Sequence, residues 1–166
     1  MPETAVPAAT TPIACPPRPD GRPALPENLA YSLTLPAALT SPALARAATR
    51  AFLEAHHLHD ILDAALQAVG ELTATACQFA PEANVYVSLR YRDNALRVTV
   101  YDGHPLHINR HLAAACDTRR RTALRLLARL ARECGGGWGY GPAREPGGGT
   151  RTWVVLPREG AVAYGR

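Results

Sequence analysis

The stretch from Asp60 to Phe79 carries the strongest periodic pattern in the chain, and it restricts the fold more than any other feature. Its apolar residues recur at alternating steps of three and four: Ile61 or Leu62, Ala65, Val69, Leu72, Ala76 and Phe79. This spacing predicts a long helix that packs on a core through one face. A polar set beside that stripe follows at steps of four, four and three: Gln67, Glu71, Thr75 and Gln78. Periodicity alone makes the polar set a solvated helix face.

Two neighbouring segments alternate with a period of two. They are Asn84–Tyr91 and Ala95–Asp102, joined by the short connection 92–94. This pattern is typical of a β-hairpin with one apolar face that helices must cover. Asp102 shares the parity of the inward residues, so its carboxylate points toward the helix layer. Because an unpaired buried charge is costly, Asp102 either turns away at the strand end or meets a donor from the protein or a ligand.

The remaining elements give the order β-α-α-β-β-α-β-β. They are a strand over Tyr31–Pro36, a helix from an N-cap at Ser41 to about His56, a helix capped by Asp117 and ended by Gly135, and strands at Trp138–Tyr140 and Thr152–Leu156. No clean period is visible between Gly103 and Cys116. The order predicts an α+β two-layer sandwich, in which a mixed β-sheet is covered on one face by about three helices.

Both ends of the chain differ from this pattern. Residues 1–25 are rich in Pro and Ala and are predicted to be a disordered tail. The domain is then expected over residues 26–159, with a loose C-terminus at 160–166. No apolar run approaches the roughly 20 residues of a membrane span, and no secretory signal pattern is present, so the sequence predicts a cytoplasmic protein without membrane contact.

The helix and hairpin together resemble a known family. The run Ala65–Ala80, followed by a hairpin that ends Val100-Tyr-Asp-Gly-His-Pro105, resembles the two nucleotide-binding boxes of anti-sigma-factor-like serine kinases. These belong to the histidine-kinase-like (GHKL) ATPase superfamily. The order and spacing of both boxes fit, and the similarity extends from the first strand to the last. It implies a histidine-kinase-like ATPase fold.

The resemblance implies roles for several residues. Glu71 matches the acidic residue that acts as general base or orients water. Asp102 matches the aspartate that binds the adenine amino group, with Gly103 after it. Thr152, or Thr150, would assist Asp102 from the last strands.

The positions that handle phosphate depart from the family pattern. Thr75 stands where the family has an asparagine that holds magnesium, and Gln78 stands where a basic residue is common. Arg121 and Ala123 replace two glycines of the phosphate box, in which Leu124 fits. Glycine allows a close backbone approach to phosphate that Arg and Ala do not. Binding of ATP or ADP with Mg²⁺ is therefore expected to be weakened or lost.

Three functions remain open. The first is a regulatory protein that binds a transcription-related protein partner, such as a sigma factor, an anti-anti-sigma factor or a small helix-turn-helix regulator, with a possible homodimer. The second is an active ATP-dependent protein serine/threonine kinase in which Glu71 activates the substrate hydroxyl. The third is nucleic-acid binding through the Arg-rich third helix, whose arginines are Arg119, Arg120, Arg121, Arg125, Arg129 and Arg132. A solvated face or an acidic protein partner would explain these arginines too, since no aromatic residues are interleaved with them.

Histidines and cysteines give no metal prediction. The histidines form two groups: His56, His57 and His59 at a helix junction, and His104, His107 and His111 in a segment that would be a lid. The second group lies in an irregular stretch and has no companion Cys or carboxylate cluster in the sequence, so surface or lid histidines are favoured over a zinc site. The four cysteines contain no CxxC pair and are interpreted as reduced structural thiols: Cys15, Cys77, Cys116 and Cys134.

Overall fold

The computed structural model describes residues 24–143 and 148–166. The strands are β1 (Ala30–Pro36), β2 (Asn84–Arg92), β3 (Ala95–Asp102), β4 (Gly137–Pro142) and β5 (Thr150–Pro157). The helices are α1 (Ser41–Ala55), α2 (Leu62–Phe79), α3 (Arg110–Ala123), α4 (Arg125–Glu133) and α5 (Arg158–Tyr164), with short 3-10 turns at Pro26–Asn28 and His59–Ile61. The predicted disordered tail lies outside the described residues, apart from its last two. No helix in the described ranges has the length and apolar character needed to cross a membrane.

The five strands form one sheet in the order β1-β2-β3-β5-β4. One sheet with helices packed on it confirms the predicted α+β two-layer sandwich. The predicted mixed sheet is wrong, because every neighbouring pair of strands is antiparallel. The reason lies in the connections. Helices α1 and α2 bring the chain back to the end of the sheet where β1 finishes, so that Asn84 at the start of β2 pairs with Pro36 at the end of β1. Strand β2 therefore runs opposite to β1. The two-residue turn Asp93-Asn94 has positive φ at both positions, 52° and 57°, which matches the twist of a tight antiparallel hairpin.

The core lies between the sheet and the helices, with α2 packed across β3. Its predicted apolar stripe is confirmed, since Ile61, Ala65, Val69, Leu72, Ala76 and Phe79 are all buried. The inward residues of the hairpin are buried as well: Val85, Val87, Leu89, Leu96, Val98 and Val100. The apolar face of α2 therefore packs against the apolar face of the β2–β3 hairpin, as the two sequence periods predict.

The predicted third helix differs most from the structure. It begins at Arg110 rather than after Asp117, because the side chain of Asn109 caps it by accepting from the backbone N–H groups of His111 (2.9 Å) and Leu112 (3.3 Å). The helix is also divided at Leu124, where α3 ends and α4 begins. Only Arg120 of α3 is buried, and a helix without an apolar stripe gives no periodic pattern to detect.

Two smaller predictions are also corrected. The Ser41 hydroxyl does not cap α1 but donates a hydrogen bond to the carbonyl of Pro36 at 2.6 Å. The C-terminus is not loose over its whole length, since α5 buries Ala161. Its Gly160 lies so close to the Cys134 carbonyl that an added Cβ would clash with it. The end of the chain is therefore packed against the end of α4.

Candidate functional site

The site centres on Asp102 at the end of β3. Its carboxylate is buried and faces the helix layer, as the strand alternation predicted. The backbone N–H of His104 donates to Oδ1 at 3.0 Å. The Arg120 guanidinium donates to both carboxylate oxygens, from Nη1 to Oδ2 at 2.8 Å and from Nη2 to Oδ1 at 3.4 Å. Asp102 thus meets its donors within the protein.

Arg120 enters the site from α3 and is only 4% exposed. Its guanidinium carbon lies 4.0 Å from the centre of the Phe79 ring, a cation–π geometry. Nη1 also lies 3.4 Å from the hydroxyl oxygen of Thr152, which is buried on β5. The charge of Arg120 is therefore neutralised by Asp102, and its flat face is covered by an aromatic ring.

Sequence reasoning did not single out Arg120. The sequence places Arg120 in the run Arg119-Arg120-Arg121, and all three were interpreted together as part of an Arg-rich helix face. In the structure, Arg119 and Arg121 are exposed and only Arg120 is buried. Helical geometry turns consecutive side chains in different directions, so one of three neighbours can face inward. The inward parity of Asp102, which demanded a donor, was the available indication.

Of the residues predicted to bind nucleotide, the structure brings some together and separates others. Thr150 pairs with Asp102 across the β3–β5 ladder, while Gly103 follows Asp102 on the surface. Glu71 accepts a hydrogen bond from Gln67 at 3.0 Å. It opens onto a depression of about 470 Å³ lined by Arg46 and Tyr164 as well as by Gln67, and Asp102 is not part of that lining.

The other predicted positions on α2 differ in exposure. Thr75 is buried, whereas Gln78 is exposed. The solvated face predicted for α2 is therefore wrong at Thr75. In α3, Ala123 is the last helical residue, and Leu124 is fully buried in the core.

Arg121 forms an ion pair with Asp117, a residue of the same helix. Its Nε donates to the Asp117 carboxylate at 2.8 Å, and both side chains are exposed to solvent. The Tyr140 hydroxyl donates to the other oxygen of Asp117. This hydrogen bond, followed by that from Arg121, holds the pKa of Asp117 below its usual range. Burial, followed by the hydrogen bond to Asp117, raises the pKa of Tyr140.

A second cluster lies beside Asp102 and contains His104, His107 and Cys116. The two Nε2 atoms of the histidines are 3.1 Å apart, and His107 Nε2 is 3.1 Å from Cys116 Sγ. Nδ1 of His104 lies 3.1 Å from the carbonyl oxygen of Phe79. The sequence expectation that this segment lacks a companion cysteine is wrong, because α3 returns Cys116 to the histidines. His111 is exposed on the first turn of α3 and lies outside the cluster.

The first histidine group is arranged differently. His56 is buried, and its ring nitrogens lie within hydrogen-bonding distance of the Tyr31 hydroxyl (3.0 Å) and the Leu25 carbonyl (2.6 Å). His57 and His59 are exposed. His56 is therefore a satisfied structural residue.

A cavity of about 420 Å³ adjoins both the Asp102 site and the histidine cluster. Arg120, Tyr140 and Thr150 line it together with His104, His107 and Cys116. Three large apolar residues on the same segment of chain are exposed: Leu106 (68%), Ile108 (fully) and Leu112 (55%).

The face of the sheet opposite the helices carries a separate depression of about 420 Å³. Its basic residues are Arg90, Arg97 and Arg151, and its aromatic residues are Tyr101 and Trp153. The Arg151 guanidinium carbon lies 5.1 Å from the Trp153 ring centre. This face therefore combines cations with aromatic surface.

Comparison with known proteins does not add to this description. No protein-family model matches the chain, and no curated protein gives a significant match.

Proposed function

We propose that this protein is a regulatory domain of the anti-sigma-factor-like class, which acts by binding a transcription-related protein and does not transfer phosphate. The observation that carries the proposal is the buried contact of Arg120 with Asp102. The resemblance assigns Asp102 to the adenine amino group, but both carboxylate oxygens already accept from a guanidinium. Thr152, the expected assistant of Asp102, contacts that same guanidinium.

An incoming adenine would have to displace a charged side chain. Arg120 would lose its ion pair and its contact with Phe79, and because both groups of the ion pair are buried, a charge left unpaired there is costly. The chain itself thus supplies the donor that a nucleotide supplies in the family. A site closed by its own side chain supports a binding role over a catalytic one.

The positions assigned to phosphate support the same conclusion. Arg121 is engaged with Asp117, and Glu71 opens onto a depression whose lining does not include Asp102. Glycine at 121 and 123 would allow a backbone cradle, whereas both positions here lie in the last turn of α3. These features weigh against a productive arrangement of ATP and Mg²⁺.

The exposed apolar residues Leu106, Ile108 and Leu112 are the proposed contact surface. An exposed apolar patch commonly marks a protein-binding site, and these three exposed side chains lie within seven residues of chain. The partner classes are those that the resemblance implies: a sigma factor, an anti-anti-sigma factor or a small helix-turn-helix regulator. Such a partner would place the action of the protein in the cytoplasm. A second copy of the chain is the competing occupant of this surface.

Calorimetry tests the nucleotide half of the proposal. Wild-type protein titrated with ATP and with ADP, in the presence and absence of Mg²⁺, is expected to show no binding, and labelled ATP is expected to transfer no phosphate to candidate partners. Tight Mg²⁺-dependent ATP binding that Asp102→Asn abolishes, together with phosphoryl transfer that Glu71→Ala abolishes, would restore the kinase.

Binding assays with purified members of the three partner classes test the other half. Ile108→Asp and Leu112→Asp should each weaken the complex at least about tenfold, as expected for a truncated or charged anchor residue. Leu126→Asp on α4 is the matched control, because Leu126 is 52% exposed and Leu112 is 55% exposed. Equal losses in all three variants, or no binding to any class, would contradict the proposed surface. Sedimentation of the protein alone shows whether the surface joins two copies instead.

A second candidate function has a specific observation in its favour. Arg90, Arg97 and Arg151 lie with Tyr101 and Trp153 on the open face of the sheet. Cations beside stacking platforms suit an extended polyanion such as single-stranded nucleic acid. This face differs from the Arg-rich third helix, where the sequence placed nucleic-acid binding.

A further inference from the structure

We propose that His104, His107 and Cys116 bind one zinc ion and leave its fourth coordination position to water or a small ligand. The three side chains converge from two elements, the segment that follows β3 and the helix α3. In the described part of the chain, this is the one group of three or more His, Cys, Asp or Glu residues whose ligand atoms gather within 4.8 Å of one another. None of the three ligands is a residue assigned to nucleotide or to the partner surface, although the cluster adjoins both, since Thr150 and Leu106 line the same cavity.

The distances fit the dimensions of a tetrahedral zinc site. Zinc–nitrogen bonds near 2.0–2.1 Å and zinc–sulfur bonds near 2.3 Å place two ligand nitrogens about 3.3 Å apart and a nitrogen and a sulfur about 3.6 Å apart. The two separations that involve His107 Nε2 are both 3.1 Å, and all three ligand atoms lie within 4.8 Å of one another. Small side-chain movements would accommodate the ion.

The hydrogen bond of His104 to the backbone orients it as a ligand. The Nδ1 atom of His104 lies 3.1 Å from the Phe79 carbonyl oxygen. Because a carbonyl oxygen only accepts hydrogen bonds, Nδ1 must carry the ring proton and donate it. In the neutral ring, the lone pair then lies on Nε2, the atom that faces His107 and Cys116. A backbone carbonyl that fixes the tautomer in this way is a common partner of metal-bound histidine.

Hydrogen bonding lets His107 Nε2 serve both of its neighbours only if one proton is shared between them. His107 Nε2 faces both His104 Nε2 and Cys116 Sγ, yet a neutral ring nitrogen carries either one proton or one lone pair. With a proton, it must divide that proton between two acceptors. With a lone pair, it meets another lone pair on His104. A divalent cation accepts the lone pairs of all three atoms at once, and its binding releases the Cys116 thiol proton to solvent.

The ligand types select the metal class. Imidazole and thiolate suit zinc and other late first-row metals, whereas Ca²⁺ and Mg²⁺ require oxygen ligands. Structural zinc sites usually have four protein ligands, and three protein ligands are typical of sites with an exchangeable position. The three residues here line the 420 Å³ cavity beside Arg120 and Tyr140. An anionic or neutral ligand at the fourth position would have those two side chains as neighbours.

Metal titration of untagged, metal-free protein tests the proposal. One equivalent of Zn²⁺ is expected to bind, and Co²⁺ should give a thiolate-to-metal charge-transfer band with the visible bands of a four-coordinate ion. His107→Ala and Cys116→Ser should each lower zinc affinity by more than about 100-fold, beyond the 10–100-fold typical of losing only an outer-shell partner. Cys116→Ser should also remove the charge-transfer band.

Three variants control for other ligands in the chain. His111→Ala and Cys77→Ser alter residues outside the cluster, and Cys15→Ser alters the cysteine outside the described residues; each should retain wild-type zinc affinity. If Cys116→Ser fails to fold, the cobalt spectrum of wild-type protein and protection of Cys116 from alkylation by zinc, mapped by mass spectrometry, decide the question. Absence of zinc binding, a cobalt spectrum without the thiolate band, or affinity that survives His107→Ala and Cys116→Ser would overturn the site.

Discussion

At the scale of single residues, Arg120 has an environment unlike that of its neighbours. Arg119 and Arg121 are exposed, while Arg120 is buried between the Asp102 carboxylate and the Phe79 ring. A buried ion pair adds little net stability, because desolvation of both charges offsets their attraction. Removal of one partner is different, since it leaves the other charge buried alone. The pair therefore joins α3 to the end of β3 in the folded protein.

The first prediction concerns this pair. Arg120→Ala and Asp102→Ala should each lower the free energy of unfolding by about 3–5 kcal/mol, as in other broken buried pairs. Urea unfolding measures the loss. The double variant should cost clearly less than the sum of the single variants, since the second change removes the charge that the first left unpaired. Arg121→Ala, the exposed neighbour, should stay within about 0.5 kcal/mol of wild type. Additive losses would show that the two residues do not act as a pair.

The second prediction concerns the pH dependence contributed by Asp117. Because Tyr140 and then Arg121 hold its folded pKa below the usual range, the carboxylate contributes stability that is fully present above the unfolded pKa of about 3.9. That contribution is lost as pH falls through the still lower folded pKa. The stability difference between wild type and Asp117→Asn should thus stay constant from neutral to mildly acidic pH and shrink only below about pH 4.

Tyr140→Phe is the companion variant for this test. It removes the larger cause of the lowered pKa and should move the decline toward the usual carboxyl range. Unfolding measured over a pH series checks both expectations. A difference that already shrinks near neutral pH would mean that Asp117 is not the titrating group.

At the scale of elements, α2 and the β2–β3 hairpin could be predicted because each buries one face and exposes the other. Their periods of 3.6 and 2 are consequences of that arrangement. α3 buries only Arg120, and α5 buries only Ala161, so neither leaves a periodic apolar pattern. The contact of Asp102 with Arg120 could not be predicted for the same reason. The inward direction of Asp102 follows from strand parity, but its contact with Arg120 depends on where α3 begins and how it crosses the sheet.

The third prediction concerns the start of α3. Asn109→Ala should destabilise the protein by about 1 kcal/mol, since its side chain satisfies two backbone N–H groups of the first turn. Asn109→Asp retains an acceptor at the same position and should be close to neutral. Urea unfolding distinguishes the two variants. Equal losses for Ala and Asp would show that the cap hydrogen bonds are not the source of the effect.

At the scale of the whole molecule, the two faces of the sheet have different surroundings. The helices cover one face with apolar side chains, while the other presents Arg90, Arg97 and Arg151 beside Tyr101 and Trp153. Trp153 lies over Gly139 on the neighbouring strand, where a Cβ would press into the indole ring. The indole ring therefore lies over the neighbouring strand, with the Arg151 guanidinium carbon 5.1 Å from its centre.

The fourth prediction tests whether this open face binds a polyanion. Single-stranded oligonucleotide binding, measured by fluorescence anisotropy over a salt series, should weaken with a slope of about −0.7 in log K against log salt for each phosphate neutralised. Three arginines would give a slope near −2, and Arg97→Ala or Arg151→Ala should each reduce its magnitude by about 0.7. Trp153→Ala should cost about 1–3 kcal/mol of binding free energy through lost stacking, with little change in slope.

Arg129→Ala on α4 is the matched control for that experiment, because Arg129 is exposed and pairs with Glu133 in its own helix. If Arg129→Ala lowers the slope while Arg97→Ala and Arg151→Ala leave it unchanged, binding occurs on the Arg-rich helices, as the sequence alone suggested, and not on the sheet. If wild-type protein shows no salt-dependent binding at all, the open face is not a nucleic-acid site. The variants distinguish the two surfaces because the open face of the sheet and α4 carry their arginines on opposite sides of the molecule, and a single strand of a few nucleotides is too short to contact both at once.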